Sequence, residues 1–469
     1  MKVEQIYTNC LAHGAYYIES NGKAAIINPL REVQPYIDMA NERGAKIKYI
    51  FETHFHADFV SGHLTLSKTT GAPIIYGPNA NPDFEATIAR DQQEFPLGDV
   101  TIIALHTPGH TMESTTYLLR DTTGKDHAIF SGDTLFLGDV GRPDLAQKAA
   151  HLTQEDLAGM LFDSLRQKIM PLADEVIVYP AHGAGSACGK NMMKETVDTL
   201  GNQKAMNYAL RADMTRDEFI AEVTDGLLPP PGYFPLNVKL NKEGYRDIDE
   251  VLDQGLRALS PDAFEVAANE TEALVLDVRS PQDFAAGHIP NSIFIGLDGN
   301  FAPWVGELIV DVNTNILLVA PEGREEEVVT RLSRVGFDNT FGYLQGGIHA
   351  WKASGKEVDT VHSVPASELA ASYADFSDRI FDVRKPGEYL SEHIEQAHHT
   401  PLGSLNDHLA EFPQDGSFYV HCAGGYRSMI ASSILKSRGI HNIIDVQGGW
   451  GAISQTEIPK TDYVCPSTL

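Results

Sequence analysis

The chain has 469 residues, more than one hydrophobic core usually supports, so its length predicts two to four domains. It carries 36 lysines and arginines against 64 aspartates and glutamates, a formal net charge of -28 at pH 7. That charge would repel the phosphates of nucleic acids and anionic lipid surfaces, so we expect neither as a partner.

The N-terminal stretch lacks the basic start and apolar run of a secretory signal, and no segment approaches the roughly 20 apolar residues that a membrane span needs. The chain contains four cysteines without paired spacing, which fits a reducing compartment better than a disulfide scaffold. They are Cys10, Cys188, Cys422 and Cys465. We therefore expect a cytoplasmic protein whose cysteines are thiols.

Short β-rich runs alternate with polar loops in the first half of the chain, and loops at strand ends are where α/β proteins keep their chemistry. The predicted strands are Ala24–Ile27, Tyr49–Glu52, Pro73–Tyr76, Val100–Leu105, His127–Phe130 and Val176–Tyr179. Helical patterning through Arg216–Thr224 precedes the prolines 229–231, which forbid continuation of a helix. We expect residues 233–235 to be extended, and the first domain to cover residues 1–245.

Four polar loops, each after a predicted strand, carry side chains suited to a metal ion. In chain order the loops supply His54, His56, Asp58 and His63, then His110, then Asp133, then His182. Taken singly, any of these residues could be an ordinary turn or cap residue, but the ordered set is not explained in that way. The set resembles the metallo-β-lactamase superfamily, which implies an N-terminal αββα sandwich.

Phe59 departs from the familiar pattern of that superfamily. Its two-zinc members carry a second histidine directly after the aspartate of the first loop, and a phenyl ring cannot ligate a metal. With Phe59 at this position, the sequence of residues 56–63 and of the turn 141–144 (GRPD) resembles the persulfide dioxygenase branch. That branch holds a single iron.

The resemblance implies one Fe(II) per chain, held by His54, His110 and Asp133, a two-histidine, one-carboxylate set that leaves positions open for O2 and substrate. Beside these ligands we expect His56, Asp58 and His182. They would either orient the ligands and receive protons or make ordinary loop hydrogen bonds. The implied reaction is oxidation of a low-molecular-weight thiol persulfide, such as that of glutathione or coenzyme A, to sulfite and the thiol.

Two further segments are candidates for binding the thiol carrier. Arg142 could clamp an anionic part of it, because a guanidinium binds carboxylates through two hydrogen bonds, and pairing with Asp144 is the alternative role. The Gly-rich loop after the predicted strand Val176–Tyr179 is expected to bind the carrier through Gly183 and Ser186. We interpret Cys188 in the same loop as structural.

An imperfect tandem repeat begins near residue 258. The matching segments are Leu274–Arg279 (LVLDVR) with Ile380–Arg384 (IFDVR), and Gln345–Gly347 with Gln447–Gly449. Each copy has the pattern of βαβ units on a parallel sheet. We predict a first copy over residues 256–358 and a second copy over residues 362–469.

In the second copy, a predicted strand ends in Cys422, and a loop of small residues, Arg427 and a predicted helix follow. This arrangement resembles the rhodanese active-site loop, in which backbone N–H groups and a helix N-terminus stabilise the anionic outer sulfur of a cysteine persulfide. Arg427 would add positive charge; a buried structural cysteine is the competing interpretation. In the first copy Pro321 stands at the place of the cysteine, so that copy resembles an inactive rhodanese domain that positions its neighbours.

The order of these resemblances matches a persulfide dioxygenase fused to an inactive and an active rhodanese domain. Sulfite from the iron site and a persulfide on Cys422 would give thiosulfate, or consume it in reverse. Two alternatives stay open. A glyoxalase II-type thioester hydrolase needs a metal-activated water, usually at a two-metal site, and Phe59 argues against it. A non-enzymatic sulfane-sulfur carrier is disfavoured by the complete set of metal ligands. We also expect a homo-oligomer.

Overall fold

The computed structural model describes residues 1–147, 151–227, 229–309 and 311–465. The chain divides into two compact units. The first unit is Met1–Glu250 with Leu332–Gly336, and the second is Val251–Arg331 with Phe337–Leu469. Within the described ranges, no helix has the length and apolar character needed to cross a membrane.

The first unit contains two six-stranded sheets. The first sheet consists, in spatial order, of β1 (Lys2–Thr8), β2 (His13–Ser20), β3 (Lys23–Ile27), β4 (Lys46–Phe51), β5 (Ile74–Tyr76) and β6 (Thr87–Ile88). The second sheet, in the order β12-β11-β10-β9-β8-β7, consists of β7 (Glu94–Leu97), β8 (Val100–His106), β9 (Thr115–Arg120), β10 (Asp126–Gly132), β11 (Ile177–Pro180) and β12 (Asp198–Thr199). The α-helices are Gln34–Glu42, His63–Thr70, Gln154–Ser164, Leu200–Met206, Arg216–Thr224 and Phe234–Glu243, and Ile248–Gly255 contains the boundary between the units. Shorter helical turns are Asn9–Leu11, Leu165–Ile169 and Tyr208–Leu210.

The two sheets pack face to face, with helices on both outer faces. Successive side chains of a strand point to opposite faces, and β2 shows the result. Tyr16 and Ile18 lie in the core between the sheets, whereas Ala15 and Tyr17 pack against the helix Gln34–Glu42. A third core lies between the second sheet and its helices. This is the αββα sandwich that the sequence predicted.

The polar loops that follow four of the strands lie close together in the first unit. Each of the six predicted strands overlaps a strand of the sandwich, and the loops after β4, β8, β10 and β11 hold the candidate ligands. One local prediction is wrong: residues 233–235 are not extended, because a helix begins at Phe234. Pro235 lies in the first turn of this helix, where its missing N–H leaves no hydrogen bond unmade.

The second unit contains two five-stranded parallel sheets with the same strand order, which confirms the predicted pair of α/β copies. The first copy, ordered β13-β17-β16-β14-β15, has β13 (Ala258–Leu259), β14 (Leu274–Asp277), β15 (Ile293–Phe294), β16 (Ile316–Val319) and β17 (Thr340–Leu344). Its helices are Pro261–Thr271, Pro281–Ala286, Phe301–Ile309, Glu325–Ser333 and Gly347–Ala353. The second copy, ordered β18-β22-β21-β19-β20, has β18 (His362–Pro365), β19 (Ile380–Asp382), β20 (His398–His399), β21 (Phe418–His421) and β22 (Ile443–Gln447). Its helices are Ala366–Phe376, Pro386–Ser391, Leu402–Glu411, Tyr426–Ser437 and Gly449–Ile453.

The Asp-Val-Arg motif makes the same contacts in both copies. The arginine guanidinium folds back on the aspartate two residues earlier, at 2.5 Å for Arg279 with Asp277 and 2.6 Å for Arg384 with Asp382. A second donor of each arginine reaches a backbone oxygen eight residues further on. Because both aspartates are buried, each pair compensates the charge at the end of a central strand.

Candidate metal centre and sulfurtransferase loop

Three predicted ligands meet at the strand ends of the first unit. The Nε2 atoms of His54 and His110 lie 3.9 Å and 3.4 Å from Oδ2 of Asp133. The other ring nitrogens are held from behind: Nδ1 of His54 pairs with Oγ1 of Thr53 at 3.0 Å, and Nδ1 of His110 pairs with the backbone oxygen of Arg142 at 2.8 Å. Both imidazoles thus present Nε2 to the same point as the carboxylate.

Asp133 also faces a second group of polar side chains. Its Oδ1 lies 3.6 Å from Nε2 of His182, and the same nitrogen lies 3.4 Å from Oδ2 of Asp58. His56 joins Asp58 and His182 in a group whose ligand atoms lie within 4.8 Å of one another. Beside this group the ring of Phe59 packs 4.4 Å from the ring of His56. Asp133 therefore faces two groups of candidate ligands. One is His54 with His110, and the other is His56, Asp58 and His182, the group that lies beside the Phe59 ring.

Several buried polar atoms here have no hydrogen-bond partner among the residues that the structure describes. They are both carboxylate oxygens of Asp133, Oδ1 of Asp58, and both ring nitrogens of His56 and of His182. Buried polar groups are nearly always paired, because leaving them unpaired costs free energy. A metal cation at this position would be bound by Asp133 and the facing imidazoles, so the residues present fit a metal ion.

Burial is the first cause of the pKa shifts at this centre. It lowers the pKa of His110 and of His182 to about 4 and raises the pKa of Asp58 to about 6. For His54, burial is the largest cause and His110 the next, and they lower its pKa well below the usual range. For Asp133, burial is the largest cause and Asp58 the next, and they raise its pKa well above the usual range. Neutral imidazole is the form that binds metals, and a nearby cation would keep the carboxyl groups ionised.

Cys188 also belongs to this centre, although its sequence spacing linked it to nothing. Its sulfur lies within 4.8 Å of ligand atoms of Asp133 and His182. Burial raises the pKa of its thiol well above the usual range. The two candidate carrier-binding residues make contacts within the protein: Gly183 N–H donates to the backbone of residue 12, and Oγ of Ser186 accepts from the Cys188 N–H.

Arg142 is held in place by its neighbours. Its Nε and Nη2 donate to the two oxygens of Asp144 at 2.6 Å and 2.7 Å, and its Nη1 donates to the backbone oxygen of Ala187 at 3.2 Å. Its own backbone oxygen is the partner of His110 Nδ1. The structure thus gives Arg142 the alternative contact with Asp144, and through its backbone Arg142 orients a ligand.

Two residues that sequence reasoning missed support the centre from behind. Glu52 is fully buried, and its carboxyl oxygens lie 3.3 Å from Nε2 of His56 and 3.5 Å from Nδ1 of His63. His13 packs its ring 4.2 Å from that of Phe59. Glu52 could have been found as an acid at the end of a buried strand, whereas nothing in the sequence links His13 to the loops.

The second unit holds the predicted sulfur-transfer loop, directly after β21. The N–H of Gly425 donates to Sγ of Cys422 at 3.1 Å, and Oγ of Ser428 lies 3.7 Å from the same sulfur. Gly425 has φ of +97°, a left-handed conformation that favours glycine. The helix Tyr426–Ser437 starts here, so its N-terminal end faces the sulfur. Cys422 itself is 1% exposed.

The polar side chains around this loop are paired. Arg427 donates two hydrogen bonds, of 2.6 Å and 2.8 Å, to the carboxylate of Glu388, a partner that the sequence analysis did not identify. Ser428 donates at 2.6 Å to the buried Asp445. In the first copy, Pro321 lies in the loop after β16, the strand that corresponds to β21. That loop has no thiol at this position.

Comparison with known proteins agrees with this architecture. The chain matches the metallo-beta-lactamase superfamily over residues 9–182 and the rhodanese-like domain over residues 260–354 and 365–456. It is 36% identical over 200 residues to the hydroxyacylglutathione hydrolase of Rhizobium johnstonii, covering 42% of this chain and 71% of that protein. It is 26% identical over 222 residues to the mitochondrial persulfide dioxygenase ETHE1 of Homo sapiens, covering 47% and 78%. Three other hydroxyacylglutathione hydrolases match over 53% to 60% of their own length.

A solved structure extends the similarity into the second unit. The metallo-beta-lactamase from Staphylococcus aureus subsp. aureus COL superposes with a TM-score of 0.64 at 29% identity, covering 73% of this chain and 98% of that one. The matched families, the sandwich and the paired parallel sheets agree with one another. The chain belongs to the metallo-β-lactamase superfamily, and two rhodanese-like domains follow its metallo-β-lactamase domain.

Proposed function

We propose that this chain oxidises a low-molecular-weight thiol persulfide with O2 at a single Fe(II) and transfers sulfane sulfur through Cys422. The observation that carries the proposal is the convergence of His54, His110 and Asp133, beside a second group of His56, Asp58 and His182 to which Phe59 adds no ligand. Two histidines and one carboxylate are the ligands of non-haem Fe(II) oxygenases.

Bound iron would supply a position at which O2 and the persulfide sulfur react side by side. In the overall reaction the terminal sulfur gives four electrons to O2 and takes up its two oxygen atoms. Water then supplies the third oxygen of sulfite as the S–S bond breaks, and the thiol leaves. The protein's part is to fix the ligands: Thr53 and the backbone of Arg142 hold the rings of His54 and His110.

Cys422 would carry the outer sulfur of a second persulfide. Sulfite attacks that sulfur, the S–S bond breaks, and thiosulfate leaves while the cysteine thiolate remains. The N–H of Gly425 and the start of the helix Tyr426–Ser437 stabilise negative charge on the sulfur in both states. The reverse direction would consume thiosulfate.

Glutathione persulfide is the carrier to test first, because the relatives include hydroxyacylglutathione hydrolases as well as a persulfide dioxygenase. Those hydrolases also make thioester hydrolysis the second candidate function, favoured by the group of Asp58, His182 and Asp133. Phe59 opposes it, because the phenyl ring cannot complete a second metal site. A homo-oligomer and a cytoplasmic location stay predictions from the sequence.

The first experiment follows oxygen uptake by anaerobically purified, iron-loaded protein given glutathione persulfide. Wild type is compared with His110→Ala and Cys422→Ser. We expect oxygen consumption and sulfite release that His110→Ala abolishes and Cys422→Ser retains, because the two sites lie in different units. Thiosulfate formation should be lost in Cys422→Ser. No oxygen uptake with iron bound, across glutathione and coenzyme A persulfides, would contradict the oxidation; hydrolysis of a glutathione thioester would then favour the second candidate.

A further inference from the structure

Tyr426, the residue that begins the helix after the Cys422 loop, binds in the other rhodanese-like domain. Its hydroxyl donates a 2.7 Å hydrogen bond to the backbone oxygen of Gly296. Its ring stands nearly edge-on to that of Phe294, with 6.0 Å between centroids. Gly296 and Phe294 both belong to the first copy, which has no cysteine at the active-site position. The inactive domain therefore contacts the active loop directly.

The segment around Gly296 and Gly299 fits the ring of Tyr426 closely. A Cβ atom at Gly299 would lie 2.2 Å from Cζ and 2.4 Å from Cε2 of Tyr426, and one at Gly296 would lie 3.1 Å from Cε2. Neither glycine has a left-handed φ. At Gly299, close approach of the tyrosine and not backbone conformation is therefore what excludes a side chain. At Gly296, Cζ of Phe294 at 2.8 Å and the backbone oxygen of Arg279 at 3.0 Å are nearer than the tyrosine.

The same helix makes two more contacts outside its own copy. Oγ of Ser433 accepts a 3.0 Å hydrogen bond from the backbone N–H of Phe294. Nζ of Lys436 lies 3.1 Å from a carboxylate oxygen of Asp359, in the segment that links the two copies. The helix Tyr426–Ser437 is thus fixed at its first residue, in its middle and near its end.

These contacts matter because Tyr426 lies between the two groups that face the sulfur of Cys422. The N–H of Gly425 directly precedes it, and the hydroxyl of Ser428 follows two residues later. A shift of Tyr426 would move both groups away from the sulfur. Of these two groups the Gly425 N–H donates to the sulfur, whereas the Ser428 hydroxyl accepts from the thiol and donates to Asp445. A donor already aimed at a developing negative charge needs no reorganisation during the reaction, which is how such a group contributes most. On its other side the loop is held by the Trp450 N–H, which donates to the Cys422 backbone oxygen.

We propose that the first rhodanese-like domain is a structural half of the sulfurtransferase site, although it cannot carry sulfur itself. Gly296 and Gly299 hold Tyr426, and Tyr426 fixes the N–H group that stabilises the Cys422 sulfur anion. Tyr426 is therefore a positioning residue. The inference rests on the proposed transfer of sulfur at Cys422 and assigns a role to the copy that lost its cysteine.

The charges near the loop allow a clean test. In the described part of the chain, the ionisable groups around Cys422 and Tyr426 are Arg427, Glu388, His421, Asp382, Arg384 and Asp445 in the second copy, and Asp298 and Arg331 in the first. Substitution of Gly299 by alanine changes none of them. A change in the ionisation of the Cys422 thiol would therefore report a change in the position of its hydrogen-bond donors.

The experiment uses the full chain as wild type, Gly299→Ala, Tyr426→Ala and the double variant. The measurement is the pH at which alkylation of Cys422 by iodoacetamide is half-maximal, followed by peptide mass spectrometry. We expect each single variant to move this midpoint upward by about one pH unit, because a thiolate that loses the Gly425 N–H donor forms less readily. The double variant should match Tyr426→Ala, since the ring that the added methyl group would displace is gone.

Gly387→Ala is the matched control, because a Cβ atom there meets nothing within 4 Å; its midpoint should equal that of wild type. A wild-type midpoint in Gly299→Ala, or shifts that add in the double variant, would overturn the inference. If Gly299→Ala does not fold, Tyr426→Phe removes only the hydroxyl and should still raise the midpoint; no change there would overturn it equally. Alkylation needs no sulfur transfer, so absent thiosulfate turnover in wild type would count against the proposed function alone.

Discussion

At the scale of single residues, we propose that Phe59 limits the first unit to one metal ion. Its ring lies between His13 and His56, beside the group formed by Asp58 and His182. An imidazole at this position would add a nitrogen ligand to a group that already has carboxylate and imidazole ligands. The phenyl ring instead closes the edge of the centre with apolar surface.

The variant Phe59→His is expected to raise metal content from one to two equivalents per chain, because the added nitrogen completes a second ligand set with Asp58 and His182. Zinc titration followed by elemental analysis measures this stoichiometry. Phe55→His is the control, since Phe55 lies in the same loop but packs against Tyr76. One equivalent in both variants would show that Phe59 does not set the number of metal ions.

The residue scale also shows where sequence reasoning reached its limit. His54, His110 and Asp133 could be identified because each follows a strand in an ordered pattern. The sequence indicated only a structural role for Cys188 and none for Glu388, because Asp133 lies 55 residues from Cys188 and Arg427 lies 39 residues from Glu388, so that only the fold brings them together. Arg142 shows a further limit: the sequence offered two roles, and only coordinates show the contact with Asp144.

At the scale of secondary-structure elements, the helix Gln154–Ser164 packs directly on the loop that carries His110. Gly109 has φ of +143°, and a Cβ atom on it would lie 2.4 Å from backbone atoms of Leu161. Oγ of Ser164 donates a 2.7 Å hydrogen bond to the backbone oxygen of Pro108. The helix therefore fixes the backbone on which a ligand is mounted.

Gly109→Ala is expected to destabilise the protein by about 1–3 kcal/mol, because the loop or the helix must move to admit the methyl group. It should also weaken metal binding by displacing His110. Chemical unfolding and metal competition measure the two effects. Gly44→Ala is the control: Gly44 has φ of +64° and open space around it, so it reports backbone strain alone. Equal losses in the two variants would contradict a role for the contact with Leu161.

Elements were easier to predict than their boundaries. Short β-rich runs between polar loops located the strands, because strands inside the sandwich, such as β2 and β3, are buried on both faces. The helix that starts at Phe234 was missed, because a run of prolines reads as an extended segment while a proline is also accepted in the first turn of a helix. The repeated Asp-Val-Arg and Gly-Gly segments predicted two copies of one topology, and the identical strand orders confirm it.

At the scale of the whole molecule, the two units have separate hydrophobic cores, and among the described residues the candidate metal ligands lie in the first unit. A ligand that binds only the folded state stabilises the unit that holds it, by about 2.7 kcal/mol when its free concentration is 100 times its dissociation constant. Metal binding should therefore act on one unit and leave the stability of the other unchanged.

Removal of the metal with a chelator is expected to lower the unfolding temperature of the first unit and leave the transition of the second unit in place. Differential scanning calorimetry of the chain with and without chelator separates the two transitions. Asp133→Ala supplies the control, because it removes a central ligand and its profile should not respond to the chelator. Equal displacement of both transitions would show that the metal stabilises more than the unit that binds it.

The burial of Cys422 would affect the lifetime of a persulfide on this residue. Cys422 is 1% exposed, so its own sulfur lies out of contact with the bulk solvent, and we expect the same of a sulfur atom carried on it. Small reductants could remove it only when the loop opens, so its lifetime would be governed by the opening rate and not by the reductant concentration. A persulfide on Cys422 would then keep its outer sulfur while the concentration of cellular thiols varies, and would release that sulfur when an acceptor enters the loop.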